Sequence, residues 1–103
     1  MIEHIVLFKW RPEAAREAID AAALGLQGLK DRIPGILDLT CGDNFSERSQ
    51  GFDFGLVVRF TNQEALDGYG PHPLHQEVVQ NLILPIREEV IVVDYEIAVA
   101  REP

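Results

Sequence analysis

Proton transfer near neutral pH calls for side chains that titrate there or that can hydrogen-bond a developing charge. This chain offers three histidines, His4, His72 and His75, and two tyrosines, Tyr69 and Tyr95. Three of the five lie in one stretch, Tyr69-Gly70-Pro71-His72-Pro73-Leu74-His75. Two imidazoles and a phenol at one end of an apolar core could remove a proton, return it, and hydrogen-bond an enolate as it forms. Aldol or Claisen-type cyclisation, isomerisation and decarboxylation all use such parts. His72 and His75 are one helical turn apart, but Pro73 stands between them, so spacing leaves open which of the two points inward. An inert reading stands beside the chemical one. His4 on an apolar face can be a satisfied core histidine, His72 between two prolines can cap or stiffen a kink, and Tyr69 can be ordinary core.

Other chemistries find less support. His-Pro-Leu-His is a weak match to metal-ligand spacing and no carboxylate is placed to complete a two-His triad, so no metal is expected. Cys41 is the only cysteine, which excludes an intramolecular disulfide and a cysteine-based zinc cluster, and it reads as a small buried apolar side chain. Gly51, Gly55, Gly68 and Gly70 form neither a dinucleotide-binding nor a phosphate-binding loop, and no GxSxG elbow occurs, so no cofactor is expected. Nine Lys and Arg against 17 Asp and Glu give a net charge of -8 with no basic stripe, which argues against a nucleic-acid partner. The longest apolar runs, such as Val90 to Val93, fall far short of the roughly 20 residues that cross a bilayer. Met1-Ile2-Glu3-His4 lacks the layout of a secretory signal, so a cytoplasmic location is expected. Glu88 and Glu89 read as a solvated turn, and Asp94 as a group holding a neighbouring backbone or basic partner.

These residues must be positioned by a 103-residue chain, the size of a single domain over residues 1–103, with 47% hydrophobic residues to build its core. Residues 2 to 10 place Ile2, His4, Val6, Phe8 and Trp10 on one face and Glu3, Ile5, Leu7 and Lys9 on the other, a strand that is apolar on both sides in its middle. Pro12 fits the first turn of a helix whose stripe runs Ala15, Ile19, Ala22, Leu26, Leu29, Ile33, and Pro34-Gly35 stops it. Residues 36 to 42 alternate as an edge strand with Leu37, Leu39 and Cys41 on one face, residues 43 to 51 form a long hairpin loop, and 52 to 60 form a third strand. Thr61-Asn62-Gln63-Glu64 fits a capping box with Thr61 at the cap. The helix that follows is broken at Gly70-Pro71-His72-Pro73 and resumes through Val78, Val79, Leu82 and Ile83, and a last strand spans Glu89 to Val99.

The order β-α-β-β-α-β is the split β-α-β arrangement of an α+β, ferredoxin-like fold, whose right-handed crossovers give an antiparallel sheet in the spatial order 4-1-3-2. The start of the first strand then lies beside the end of the third, from which the second helix departs, so His4 is brought towards Tyr69 and His75. Two helices cover one face only. The other would expose Ile5 or Val6, Val57 or Val58, and Ile91 or Val92 together, and a second copy packed face to face on a two-fold axis would close the pair into a dimeric α/β barrel.

Several stretches in this order resemble the stress-responsive α/β-barrel (Dabb) family over nearly the whole chain. They are His4-Ile5-Val6-Leu7-Phe8-Lys9, Ile33-Pro34-Gly35, Gly51-Phe52-Asp53, the Tyr-x-x-His-Pro-x-His motif from Tyr69 to His75, and Val93-Asp94-Tyr95. The resemblance implies the ferredoxin-like homodimeric barrel. It also implies, by way of a plant member, olivetolic acid cyclase, an aldol cyclisation without metal or organic cofactor. Its functional residues match His4, Tyr69 and His75, which implies His75 as general base, Tyr69 as hydrogen-bond partner of substrate or oxyanion, and His4 as the group that positions a small hydrophobic or carbonyl ligand. His72 joins them as an expected substrate contact. Two alternatives stay open: a non-catalytic stress-response dimer, and a cofactor-independent monooxygenase of the same element order, against which the Tyr-x-x-His-Pro-x-His motif argues.

Overall fold

The protein is described from a computed structural model covering residues 1–98. Strand β1 (Ile2–Trp10) leads to helix α1 (Arg16–Gln27), strands β2 (Ile36–Asp43) and β3 (Phe54–Phe60), helices α2 (Gln63–Tyr69) and α3 (Pro73–Val78), a π-helical turn (Val79–Ile83) and strand β4 (Arg87–Glu96). Val99, the expected end of β4, lies outside the described residues. The four strands form one antiparallel sheet in the order β2-β3-β1-β4, as the split β-α-β topology requires. No helix among the described residues is long and apolar enough to cross a membrane.

The helices lie on one face of the sheet. Ile2, Val6, Phe8 and Trp10 from β1, with Phe54, Leu56, Val58 and Phe60 from β3, form the core there, closed from above by Ala22, Leu26, Tyr69 and Ile83. Each large apolar side chain sealed in this layer contributes about 1.5–3 kcal/mol. The alternation that buries these residues turns Ile5, Leu7, Val57, Ile91, Val93 and Tyr95 to the opposite, uncovered face. Of the pairs left open by the sequence, Ile5, Val57 and Ile91 are the outward members.

Three helix boundaries differ from expectation, and β3 starts at Phe54 and β4 at Arg87 where residue 52 and Glu89 were expected. Pro12 precedes α1 instead of opening it: Ala14 N–H donates to Arg11 O, Ala15 stays extended at ψ 148°, and the helix starts only at Arg16. The apolar stripe is buried from Ala22 as far as Ile33, but α1 ends at Gln27. Beyond it the chain tightens into three-residue turns such as Leu29 N–H to Leu26 O and Arg32 N–H to Leu29 O. The cap of α2 is Asn62, whose side chain accepts from Ala65 N–H at 2.9 Å; Thr61 is held back by its own N–H to Gly35 O bond, which keeps it at the end of the ladder. In β2 a register shift between Ile36 and Asp38 turns Leu37 out of the alternation, so Leu39 is buried while Leu37 is exposed.

Gly35 makes the turn from Pro34 into β2 at φ +90°, and a Cβ there would stand 2.5 Å from the Ala65 Cβ of α2. Gly35→Ala is therefore expected to lower stability by about 1–3 kcal/mol, through both backbone strain and overpacking. Gly68→Ala, in α2 with nothing within 4 Å of the new methyl, should leave stability unchanged or raise it. Urea denaturation of the two variants checks this, and equal midpoints would show that Gly35 is not constrained.

Candidate active site

The break between α2 and α3 creates the local geometry on which the site rests. Pro73 has no N–H, so the Tyr69 carbonyl is taken instead by His72 N–H at 3.1 Å. In an unbroken helix the Gly70 carbonyl would accept from Leu74 N–H, but that donor goes to His72 Nδ1 at 3.1 Å. The free Gly70 oxygen receives His75 Nδ1–H at 2.9 Å and Gln76 Nε2–H at 2.7 Å. Each bond sets a tautomer. His72 accepts at Nδ1 and caps α3. His75 donates from Nδ1, which leaves its Nε2 lone pair unused.

The sheet supplies the remaining members. His4 is directly opposite Asp94 in the β1–β4 ladder, and its Nδ1 is hydrogen-bonded to the Asp94 carboxylate. Edge-on contacts join His4 to Tyr69, with ring centroids 5.8 Å apart, and Tyr69 to Phe60 at 5.1 Å, while Tyr69 and His75 lie 4.2 Å apart. The three expected residues His4, Tyr69 and His75 thus meet in one cluster. His72, the fourth, is half-buried at the cap and does not line the same cavity.

Two features of this cluster are chemically unusual. Tyr69 is 2% exposed, and its hydroxyl has no hydrogen-bond partner among the described residues. A buried, unpaired hydroxyl costs roughly 1–3 kcal/mol, and burial also pushes its pKa strongly upward, so it remains a protonated donor. His75 is shifted the other way. Burial, the largest cause, holds its pKa below the ordinary value; the bond to the Gly70 carbonyl opposes it, and the neighbouring His4 and His72 add lesser lowering effects. The result is a neutral imidazole beside a neutral phenol.

Both groups line a cavity of about 240 Å³ between helices and sheet. Its walls are apolar: Val6, Leu56, Val79 and Ile83. Along β4 it reaches Val90 and Val92, which are 37% and 50% exposed, so the helices leave that side open to solvent. Arg87 is the lining residue with a permanent charge. A larger cleft of about 590 Å³ lies near the end of β1, among Lys9, Arg11, Arg16, Asp43, Asp53 and Glu88. Arg16 is paired with Asp43, Lys9 with Glu89, and no His, Cys or Tyr lines the cleft, so the imidazoles and the buried phenol lie at the smaller cavity. No cluster of His, Cys, Asp and Glu among the described residues could hold a metal ion.

The sequence profile of the stress-responsive A/B barrel domain matches residues 2–97. The chain belongs to that family. It is 30% identical over 96 residues to a stress-response A/B barrel domain-containing protein of Arabidopsis thaliana, a match that covers 92% of this chain but only 36% of the plant protein. A dimeric ferredoxin-like protein from Jannaschia superposes with a TM-score of 0.79 at 32% identity, covering 93% of this chain and 98% of the other. The hydroxynitrile lyase of Passiflora edulis shares the fold, with a TM-score of 0.86 over 98% and 96% of the two chains at 18% identity.

The sequence could not show what Asp94, Arg87 and the π-helical turn do in this A/B barrel domain. Asp94 holds a neighbouring group, as expected, but that the group is His4 follows only from the ladder. An antiparallel register counted from the pairing of β1 with β4 would have found it. The π-helical turn, which brings Val79 and Ile83 to the cavity, has no signature in an apolar run.

A pH dependence follows from His75. Its folded pKa lies below the ordinary 6.5, so on acidification the unfolded chain takes up this proton first. The stability owed to neutral His75 is complete above about pH 6.5 and is lost as pH falls towards the lower folded value. The denaturation midpoint of the wild type is expected to drop between pH 7.5 and pH 5.5 by more than that of His75→Gln; identical pH profiles would show that burial does not shift this group.

Proposed function

We propose that the protein is a homodimeric, cofactor-free acid–base catalyst acting on a small carbonyl compound held between helices and sheet. The observation that carries this reading is the buried Tyr69 hydroxyl without a partner, 4.2 Å between ring centroids from a neutral His75, in an apolar cavity. His75 Nε2, free because Nδ1–H is spent on Gly70, takes a proton from the carbon next to the carbonyl. The Tyr69 hydroxyl hydrogen-bonds the carbonyl oxygen as it gains enolate charge, a partner it lacks in the resting protein. His4, held by Asp94, orients the ligand from the strand side. His72 supports the site from outside by capping the helix that carries His75. The proton then returns to carbon, to the oxygen of a second ligand carbonyl whose carbon the enolate has attacked, or to a leaving group, which leads respectively to isomerisation, cyclisation or cleavage.

Several observations support the choice. A purely structural role for the cluster predicts a closed, satisfied core, whereas this hydroxyl is unsatisfied and the cavity is open along β4. The Passiflora protein is a hydroxynitrile lyase, so the architecture is compatible with a lyase-type site.

Deuterium exchange into the α-carbon of a methyl ketone probe, 7-oxooctanoate, followed by NMR tests the catalytic reading. His75→Ala is expected to slow enzyme-dependent exchange by about 10²–10⁴-fold, and Tyr69→Phe by about 10²-fold or more. Because Tyr69→Phe removes an unsatisfied buried group, it should fold as stably as the wild type. Exchange unaffected by either substitution would remove the acid–base reading.

The homodimer is supported by the uncovered sheet face, where Leu7, Ile91, Val93 and Tyr95 are exposed together, and by the dimeric Jannaschia relative. Sedimentation at micromolar concentration should give a dimer, and Ile5→Glu in the middle of that face should give a folded monomer. A wild type that sediments as a monomer refutes the pairing.

A further inference from the structure

Arg87 stands apart among the basic residues described. Lys9, Arg16, Lys30 and Arg59 each have a carboxylate partner within 4 Å, whereas Arg87 has none among the described residues. Arg11, Arg32 and Arg48 also lack such a partner, but they are exposed and solvated. The acidic sequence neighbours of Arg87 are turned elsewhere: Glu89 pairs with Lys9 at 3.3 Å, and Glu88 lines the separate polar cleft. Arg87 itself is half-buried and lines the small apolar cavity that holds His4, Tyr69 and His75.

A guanidinium stays charged at any physiological pH, and a half-buried one beside apolar walls gains most from an anion that also leaves bulk water. The protein as a whole carries a net charge of -8 and repels free anions, so this half-buried, unpaired cation is a local exception that marks where one would be held. With no second permanent cation lining the cavity among the described residues, the site matches the single charge and planar fork of a carboxylate. A phosphate monoester would leave about one of its charges unpaired.

The sheet register sets the shape of the ligand. His4 is opposite Asp94 and Trp10 is opposite Arg87, six residues along β1 or about 20 Å of strand. Between the two ends lie the apolar walls at Val6, Leu56 and Val92, in a cavity of about 240 Å³, below the roughly 300–1,000 Å³ of drug-sized sites. His4 and Arg87 both line this one cavity from those two ends, so a ligand touching both is slim and, at this volume, short.

We propose that Arg87 binds the carboxylate of a short aliphatic keto acid whose ketone lies against Tyr69 and His75. This deepens the acid–base reading above and rests on it for the ketone end. The carboxylate end stands on Arg87 alone. Arg87 is then a specificity residue: it selects acids over neutral ketones of equal length and holds the ketone in register with the His75 base.

The test titrates 7-oxooctanoate and its methyl ester, by NMR chemical-shift perturbation, into the wild type, Arg87→Gln and His75→Ala. The wild type is expected to bind the acid at least tenfold more tightly than the ester. Arg87→Gln should abolish that preference while its amide spectrum stays folded, and His75→Ala should keep it. Equal affinity for acid and ester in the wild type, a preference that survives Arg87→Gln, or no binding of either compound at millimolar concentration each overturns the assignment. The acid–base reading fails separately, through exchange that His75→Ala leaves unchanged while the preference for the acid is intact.

Discussion

The hydrogen-bonding of β1 on both of its edges is the constraint on which the rest of the molecule depends. Its pairing with β3 places Ile2 opposite Phe60, at the point where the chain leaves for α2, and its pairing with β4 places His4 opposite Asp94. One strand register therefore brings a histidine to a carboxylate on one side and to the tyrosine-bearing helix on the other. A slip of one residue would turn His4 to the uncovered face and Ile5 into the cavity, because side chains alternate with a period of two. The apolar pattern resists such a slip, since Val6 and Phe8 would leave the core with it.

The second organising element is a defect in a helix. Two prolines in Pro71-His72-Pro73 prevent regular i to i+4 bonding, and the backbone groups they release are recovered by side chains. His72 takes one orphaned donor and His75 serves one orphaned acceptor, so two chemically identical residues three positions apart end in opposite tautomers and different roles. The cost of the break is reduced, because the Tyr69 and Gly70 carbonyls and the Leu74 N–H are paired. What the break provides is a histidine whose free nitrogen is defined by a backbone bond instead of by a second side chain. Tyr69 is the converse case: its burial is tolerated although its hydroxyl is unpaired, the kind of unsatisfied group that persists where a ligand can meet it.

Much of this was legible in the sequence because it rests on local periodicity. The periodicities gave the element order and with it the strand order, the both-sided apolarity of the central strands led to an uncovered face, and the strand order alone carried His4 towards Tyr69. The misplaced boundaries share one cause. Pro12, Thr61 and the tail of the α1 stripe are each locally suited to a helix, but a long-range bond or a packing contact claims the backbone first: Arg11 N–H goes to Ile86 O and Thr61 N–H to Gly35 O. Leu29 and Ile33 keep their burial while losing their helix, since a stripe reports which side faces the core and not which hydrogen bonds hold it.

The site divides in the same way. Residue types and the Tyr-x-x-His-Pro-x-His spacing determined that imidazoles and a phenol could meet, because chemical identity and chain order belong to the sequence. Only the tertiary structure decided that His75 and not His72 faces the cavity, that Asp94 holds His4, that the Tyr69 hydroxyl is left without a partner, and that Arg87 stands unpaired among apolar walls. Each of those depends on which atoms arrive at the same point from segments tens of residues apart. That is set by sheet register and helix packing, and neither can be read from the spacing of residues along a single segment.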